Sequence, residues 1–240
     1  MNQPLKIVQA WIQEVQAYRD PSTAFGMSAY MRHQFPFMGW PQAQRRQHQA
    51  SLWEVLDPNK PIALATLQAM MDELWKQPER EFQYTAMELA LRYRQAWTEG
   101  WLDLVYGWIQ SKSWWDTVDW LAPKGLGWCI LHKETQASRT TALDQTRLEY
   151  VLALLHAHPN LWMQRSAFIL QLDFKEHTRF DLLCNMCLEK AETKEFFLAK
   201  AMGWALRQYA RHAPMEVLNF IHQNPQLPTL TRREALKHLA

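Results

Sequence analysis

Helix-favouring stretches separated by proline run along this chain, and nothing between them offers a strand. Asp20-Pro21, Phe35-Pro36, Trp40-Pro41, Asp57-Pro58, Lys60-Pro61 and Gln77-Pro78 each stop one helix or begin the next. They predict helices over 4–19, 23–34, 41–56, 61–76 and 79–95. Three Ser/Thr-x-x-acid pairs, Ser113 with Asp116, Thr178 with Asp181 and Thr231 with Glu234, read as capping boxes. Further helices are expected over 99–110, 114–121, 141–157, 161–172, 179–190, 194–211, 215–223 and 232–239. No stretch alternates at the strand period for more than a few residues, and no Asn-Gly or Asp-Gly hairpin signal occurs. The fold class is therefore all-α. Pro21, Pro41 and Pro61 recur at a spacing that suggests antiparallel helix pairs stacked as a solenoid of roughly 40-residue units. A compact irregular helical domain is the alternative, and in either case residues 1–240 are read as a single domain.

Seven Gly among 240 residues leave few tight turns and no Gly-rich phosphate loop, whereas 13 Trp supply an unusual amount of aromatic surface. No run approaches the ~20 apolar residues of a spanning helix, and the first 16 residues lack the apolar core of a signal peptide. A soluble, cytoplasmic protein is expected. Cys129, Cys184 and Cys187 are too few for a disulfide framework, in keeping with a reducing compartment. The net charge of +2 is small but uneven: residues 1–120 carry 11 Lys+Arg against 13 Asp+Glu, and residues 194–240 carry 7 against 3.

Helix 194–211 separates into two faces. Leu198, Met202, Ala205 and Tyr209 form a packing stripe, and Lys200, Trp204, Arg207 and Arg211 repeat the same spacing two residues out of phase, roughly 200° away. Either Trp204 packs on the next helix, or this face is a groove where cations meet phosphates and the indole meets sugar or base. Helix 161–172 is apolar nearly all round and so is sandwiched by neighbours. Its Arg165 must find a carboxylate or phosphate, or reach solvent. In Lys112-Ser-Trp-Trp-Asp-Thr-Val-Asp119, Asp116 has a capping role but Asp119 has none. Asp119 lies four residues after Trp115, on the same face, where a carboxylate held against an indole could stabilise a developing cation.

Other signals carry less. Cys184-Asn-Met-Cys187 lies inside an amphipathic helix with no second metal-ligand pair and reads as packing. His156 and His158 point about 200° apart on a helix and cannot share a metal there. Trp97, Trp101, Leu104 and Trp108 form a core stripe. Nucleophile-elbow, Walker, Rossmann and zincin patterns are missing, so no metal or cofactor is expected.

Several segments together resemble the DNA alkylation repair proteins of the AlkD type, which are helical-repeat DNA glycosylases. They are Tyr30-Met-Arg-His-Gln-Phe-Pro-Phe-Met-Gly39 with Arg45-Arg46, Pro78-Glu-Arg-Glu-Phe-Gln-Tyr84, Lys112–Asp119, Leu161-Trp-Met-Gln-Arg165, Lys194–Tyr209 and Leu230-Thr-Arg-Arg-Glu-Ala-Leu236. The resemblance implies a curved stack of HEAT-like helix pairs whose concave face holds duplex DNA, and monofunctional excision of N3- and N7-alkylated purines; a monomer is expected. Asp119 then looks like the catalytic carboxylate, Trp115 and Trp204 like aromatic walls against the lesion nucleotide, and Arg165 like the cationic contact beside them. DNA contacts would come from Lys112, Lys200, Arg207, Arg211, Arg232 and Arg233, with Tyr30 and Arg45 from the first matching segments. Gly39-Trp-Pro41 departs from the family pattern by placing its proline early. Two rival readings use the same helices: a helical-repeat protein that binds damaged or branched DNA without catalysis, and a scaffold with a peptide groove.

Overall fold

Asp20 illustrates the proline punctuation. Its carboxylate accepts the backbone N–H groups of Ser22 and Thr23, and Pro21 fills the first helical position, where a missing N–H costs nothing. The computed structural model describes residues 3–98, 100–137 and 143–237, and side chains outside 133–145. Among the described residues there is no strand, so the chain is all-α as expected.

The first helices are α1 (Gln3–Val15), α2 (Pro21–Tyr30), α3 (Gln42–Val55), α4 (Leu64–Lys76) and α5 (Arg80–Arg92). α1 packs on α3 and α4, and α4 on α5, around buried Trp11, Leu67, Met70, Leu74 and Phe82. The loop between α2 and α3 is fastened by Glu81, whose fully buried carboxylate accepts the N–H groups of Met38 (2.9 Å), Gly39 (3.0 Å) and Trp40 (3.0 Å). Gly39 adopts φ +94°, and a Cβ there would lie 2.1 Å from the Asp20 carbonyl oxygen, so only glycine fits.

The chain divides into two compact units, 1–101 and 102–240. The second runs from α6 (Trp101–Gln110) through α7 (Trp115–Trp120), a π-helical segment (Leu121–Gly127) and α8 (Trp128–Ala137). It continues with α9 (Leu143–Ala157), α10 (Leu161–Ile169), α11 (Phe180–Glu189), α12 (Phe196–Tyr209), α13 (Pro214–Gln223) and α14 (Thr229–Leu236). α9 packs on α10, α11 on α12 and α13 on α14, while α7, α10, α12 and α14 pack successively on one another. α10 is the most enclosed of these, with Met163, Arg165, Ala167, Phe168 and Ile169 all buried, which fits its apolar circumference.

The helix boundaries follow the proline reading closely, but the capping reading fails and one helical stretch was not expected. None of the capping boxes is made. Ser113 donates back to the Ile109 carbonyl at 2.6 Å, leaving Trp114 to precede α7 without a side-chain cap. α11 is likewise uncapped by a side chain, and Asp181 pairs with Arg179. Thr231 lies inside α14, donating to the Ala199 carbonyl at 2.8 Å, and Glu234 pairs with Arg207. Apart from Leu121, the π segment and α8 fall in a stretch without a predicted element. Residue 99 and residues 141–142 and 238–239, at the ends of three expected helices, lie outside the described residues. No described helix is long and apolar enough to cross a membrane.

Candidate functional site

α7 is only six residues long, and burial of Thr117 and Val118 fixes which side of it faces inward. Trp115 and Asp119, one turn apart, share another side and are both half-buried. Asp119 meets Arg165 of α10 in a two-pronged pair: Nε donates to Oδ1 at 2.7 Å and Nη2 to Oδ2 at 2.7 Å. The third donor, Nη1, reaches the Phe197 carbonyl of α12 at 2.6 Å. One guanidinium thus ties three helices at one point. The cation that α10 had to satisfy finds its partner in the carboxylate that α7 left without a structural duty.

The pair is unevenly enclosed, with the Arg165 side chain 4% exposed and that of Asp119 18%. Burial raises the Asp119 carboxyl above the ordinary aspartate range; Arg165 pulls it back, Asp116 pushes it up, and Lys200 of α12 pulls it down. Aromatic rings gather around Phe197, beside the guanidinium. Trp114, Trp162 and Phe197 form a triangle with centroid separations of 5.3, 5.2 and 5.0 Å, and the Arg165 guanidinium carbon lies 6.0 Å from the Phe197 ring. The sequence reading missed this trio. Trp162 stands three residues before Arg165 and so shares its face, a signal that was available; the meeting with Trp114 and Phe197 is made between helices and leaves no periodic trace.

A model of the DNA alkylation repair enzyme family matches residues 11–239. The chain belongs to that family. A solved structure described as a predicted DNA alkylation repair enzyme from Enterococcus faecalis is 34% identical, with a TM-score of 0.78, covering 92% of this chain and 97% of that one. No curated protein matches the chain.

Within this family member the cations singled out from the sequence fall into two groups. Lys200, Arg211 and Arg233 are exposed. Arg232 is half-buried and donates to the Pro225 carbonyl at 3.1 Å. Lys112 is half-buried in the turn between α6 and α7, at φ +50°. Arg207 instead closes an internal pair with Glu234 at 2.5 Å, and also donates to the Glu234 carbonyl at 2.9 Å. Arg45 is buried in the first unit, paired to Glu88 at 2.6 Å and stacked 5.0 Å from the Tyr84 ring centroid. These two arginines hold helices together. Tyr30, also in the first unit, is 74% exposed at the end of α2. Trp204 is half-buried one turn beyond Lys200, whereas Trp97, Trp101 and Trp108 are core as expected. Burial pushes the Cys184 thiol up to about 12 and the Cys187 thiol up as well, the opposite of a reactive thiolate. No group of three His, Cys, Asp or Glu able to hold a metal occurs among the described residues.

Proposed function

We propose that the protein is a monofunctional DNA glycosylase that hydrolyses the N-glycosidic bond of cationic N3- or N7-alkylated purines in duplex DNA. The observation that carries the reading is the Asp119–Arg165 pair: a half-buried carboxylate, held in one orientation by a buried guanidinium, in a member of the DNA alkylation repair enzyme family. An alkylpurine of this kind already bears a positive charge and leaves as a neutral base, so no general acid is required and one carboxylate can suffice, unlike the paired acids of glycoside hydrolysis.

As the C1′–N bond breaks, its electron pair goes to the base and positive charge develops on the deoxyribose. Asp119 stabilises that charge and orients the water whose oxygen bonds to C1′, the water proton passing to the carboxylate or solvent. Each Asp119 oxygen spends one acceptor site on Arg165 and keeps another. Trp115 and Trp204 contact the sugar and exclude bulk water. Arg165 acts chiefly by fixing the carboxylate. Exposed Lys200, Arg211 and Arg233, with Arg232, supply phosphate contacts.

The pairs α9/α10, α11/α12 and α13/α14 are read as HEAT-like repeats. Their second members, together with α7, carry every proposed catalytic residue and most of the cations. Incubation with methylated duplex DNA tests the assignment directly. Free 7-methylguanine or 3-methyladenine should be released, leaving abasic sites; binding without release would instead favour the non-catalytic reading.

A further inference from the structure

The helical run that carries Asp119 does not stop at Trp120. Trp120, Leu121 and Trp128 keep helical dihedrals, so α7, the π segment and α8 form one unbroken run from Trp115 to Ala137, with the wide turn beginning two residues after Asp119. The cause is legible in the covalent chemistry. Pro123 stands four residues after Asp119 and has no N–H, so the α-helical bond to the Asp119 carbonyl cannot form. The ladder opens instead, and the Trp128 N–H reaches the Pro123 carbonyl five residues back.

This run touches α10 twice. Asp119 meets Arg165, and eight residues later Gly127 closes on Leu170, the residue that follows the last turn of α10. A Cβ at Gly127 would lie 2.3 Å from the Leu170 carbonyl oxygen and 3.2 Å from the Phe174 ring, so the approach is as close as a backbone allows. In a continuous α-helix eight residues turn about 800°, leaving the two contact points about 80° apart around the axis. A π turn absorbs about one residue of that rotation, so the two positions stand about seven residues apart in phase, within roughly 20° of the same face.

We propose that the segment Leu121–Gly127 is a positioning device for the reaction. Pro123 widens the helix so that the Gly127 contact and the Asp119–Arg165 pair can be made on α10 together. The proposal rests on the catalytic reading of Asp119, and its test separates the two. Pro123→Ala supplies the missing N–H and lets the α-helical phase return. Duplex affinity should stay within about threefold, whereas single-turnover excision should fall by about tenfold or more and the acid limb of its pH profile should shift, since geometry at the carboxylate is disturbed but the phosphate contacts are not. Deleting Lys124 in the Pro123→Ala background places Asp119 and Gly127 seven residues apart in an unbroken α-helix. That variant should recover excision to within about threefold of wild type, a rescue that a merely structural proline would not permit.

An unchanged rate and pH limb in Pro123→Ala, beside an inactive Asp119→Asn, overturns the positioning proposal alone. An unchanged rate in Asp119→Asn overturns the catalytic reading on which it rests. Should Pro123→Ala melt below the assay temperature, the double variant decides: excision near wild type supports the proposal, and excision no faster than Asp119→Asn overturns it.

Discussion

At Asp119 burial and charge oppose one another. The pocket favours the neutral acid, while Arg165 and Lys200 favour the carboxylate, and burial wins. The folded state therefore holds this proton more tightly than the unfolded chain does. The resulting stability is fully present below the unfolded pKa and is lost as pH rises through the folded one, so ionising Asp119 costs the fold stability. On the proposed mechanism the sign reverses for excision, because there the ionised form is the active one. The rate should fall as pH drops through a limb lying above the ordinary aspartate value of about 3.9. Arg165→Gln removes the stronger of the two cations and should move that limb further up; a limb at or below the ordinary value in single-turnover pH profiles would contradict this. The two partners of the pair were each visible in the sequence, one as a carboxylate without a capping duty and the other as a cation on an apolar helix. Pattern alone did not bring them together, since Asp119 and Arg165 are 46 residues apart and no periodicity links α7 to α10; only the family resemblance set Arg165 beside the carboxylate.

Among the elements, α12 and α14 show how the exposed cations near Trp204 are mounted. The helices approach closely at Gly203, where a Cβ would lie 2.6 Å from the Glu234 Cβ and 2.7 Å from the Thr231 carbonyl oxygen. The Thr231 hydroxyl and the Arg207–Glu234 pair seal the contact on either side. Gly203→Ala must push α14 away and should cost about 1–3 kcal/mol in denaturant unfolding, as overpacking typically does; an unchanged midpoint would contradict the close crossing. Most elements were legible because proline and helical periodicity act locally. The π segment was not, because Pro123, Gly125 and Gly127 are ordinarily helix breakers. Here a buried setting against α10 and Val105 turns the same residues into a widened helix. The capping boxes failed for a related reason: Thr231 and Glu234 are spent on contacts with α12 rather than on their own helix end.

Over the whole molecule a net charge of +2 is too small to hold DNA by itself, and on the proposed reading the basic surplus of residues 194–240 does that work. Arg45 and Arg207 are engaged internally, which narrows the phosphate-contacting set drawn from the sequence. With about four phosphates neutralised, affinity for duplex DNA should fall on the order of a hundredfold between about 50 and 200 mM salt, with little dependence on sequence. Filter binding or fluorescence anisotropy over that range checks this, and a salt-independent affinity would remove the proposed surface.

In the proposed reaction one carboxylate, fixed by Arg165, carries the chemistry. Single-turnover excision of 7-methylguanine from duplex DNA by wild type and by Asp119→Asn tests it most directly. The Asn variant keeps the shape and one acceptor for Arg165 but loses the charge. Excision should therefore fall about a hundredfold or more while duplex affinity stays within about threefold, the mark of an interaction made in the transition state. An Asp119→Asn variant that releases 7-methylguanine at the wild-type rate would rule out Asp119 as the catalytic carboxylate.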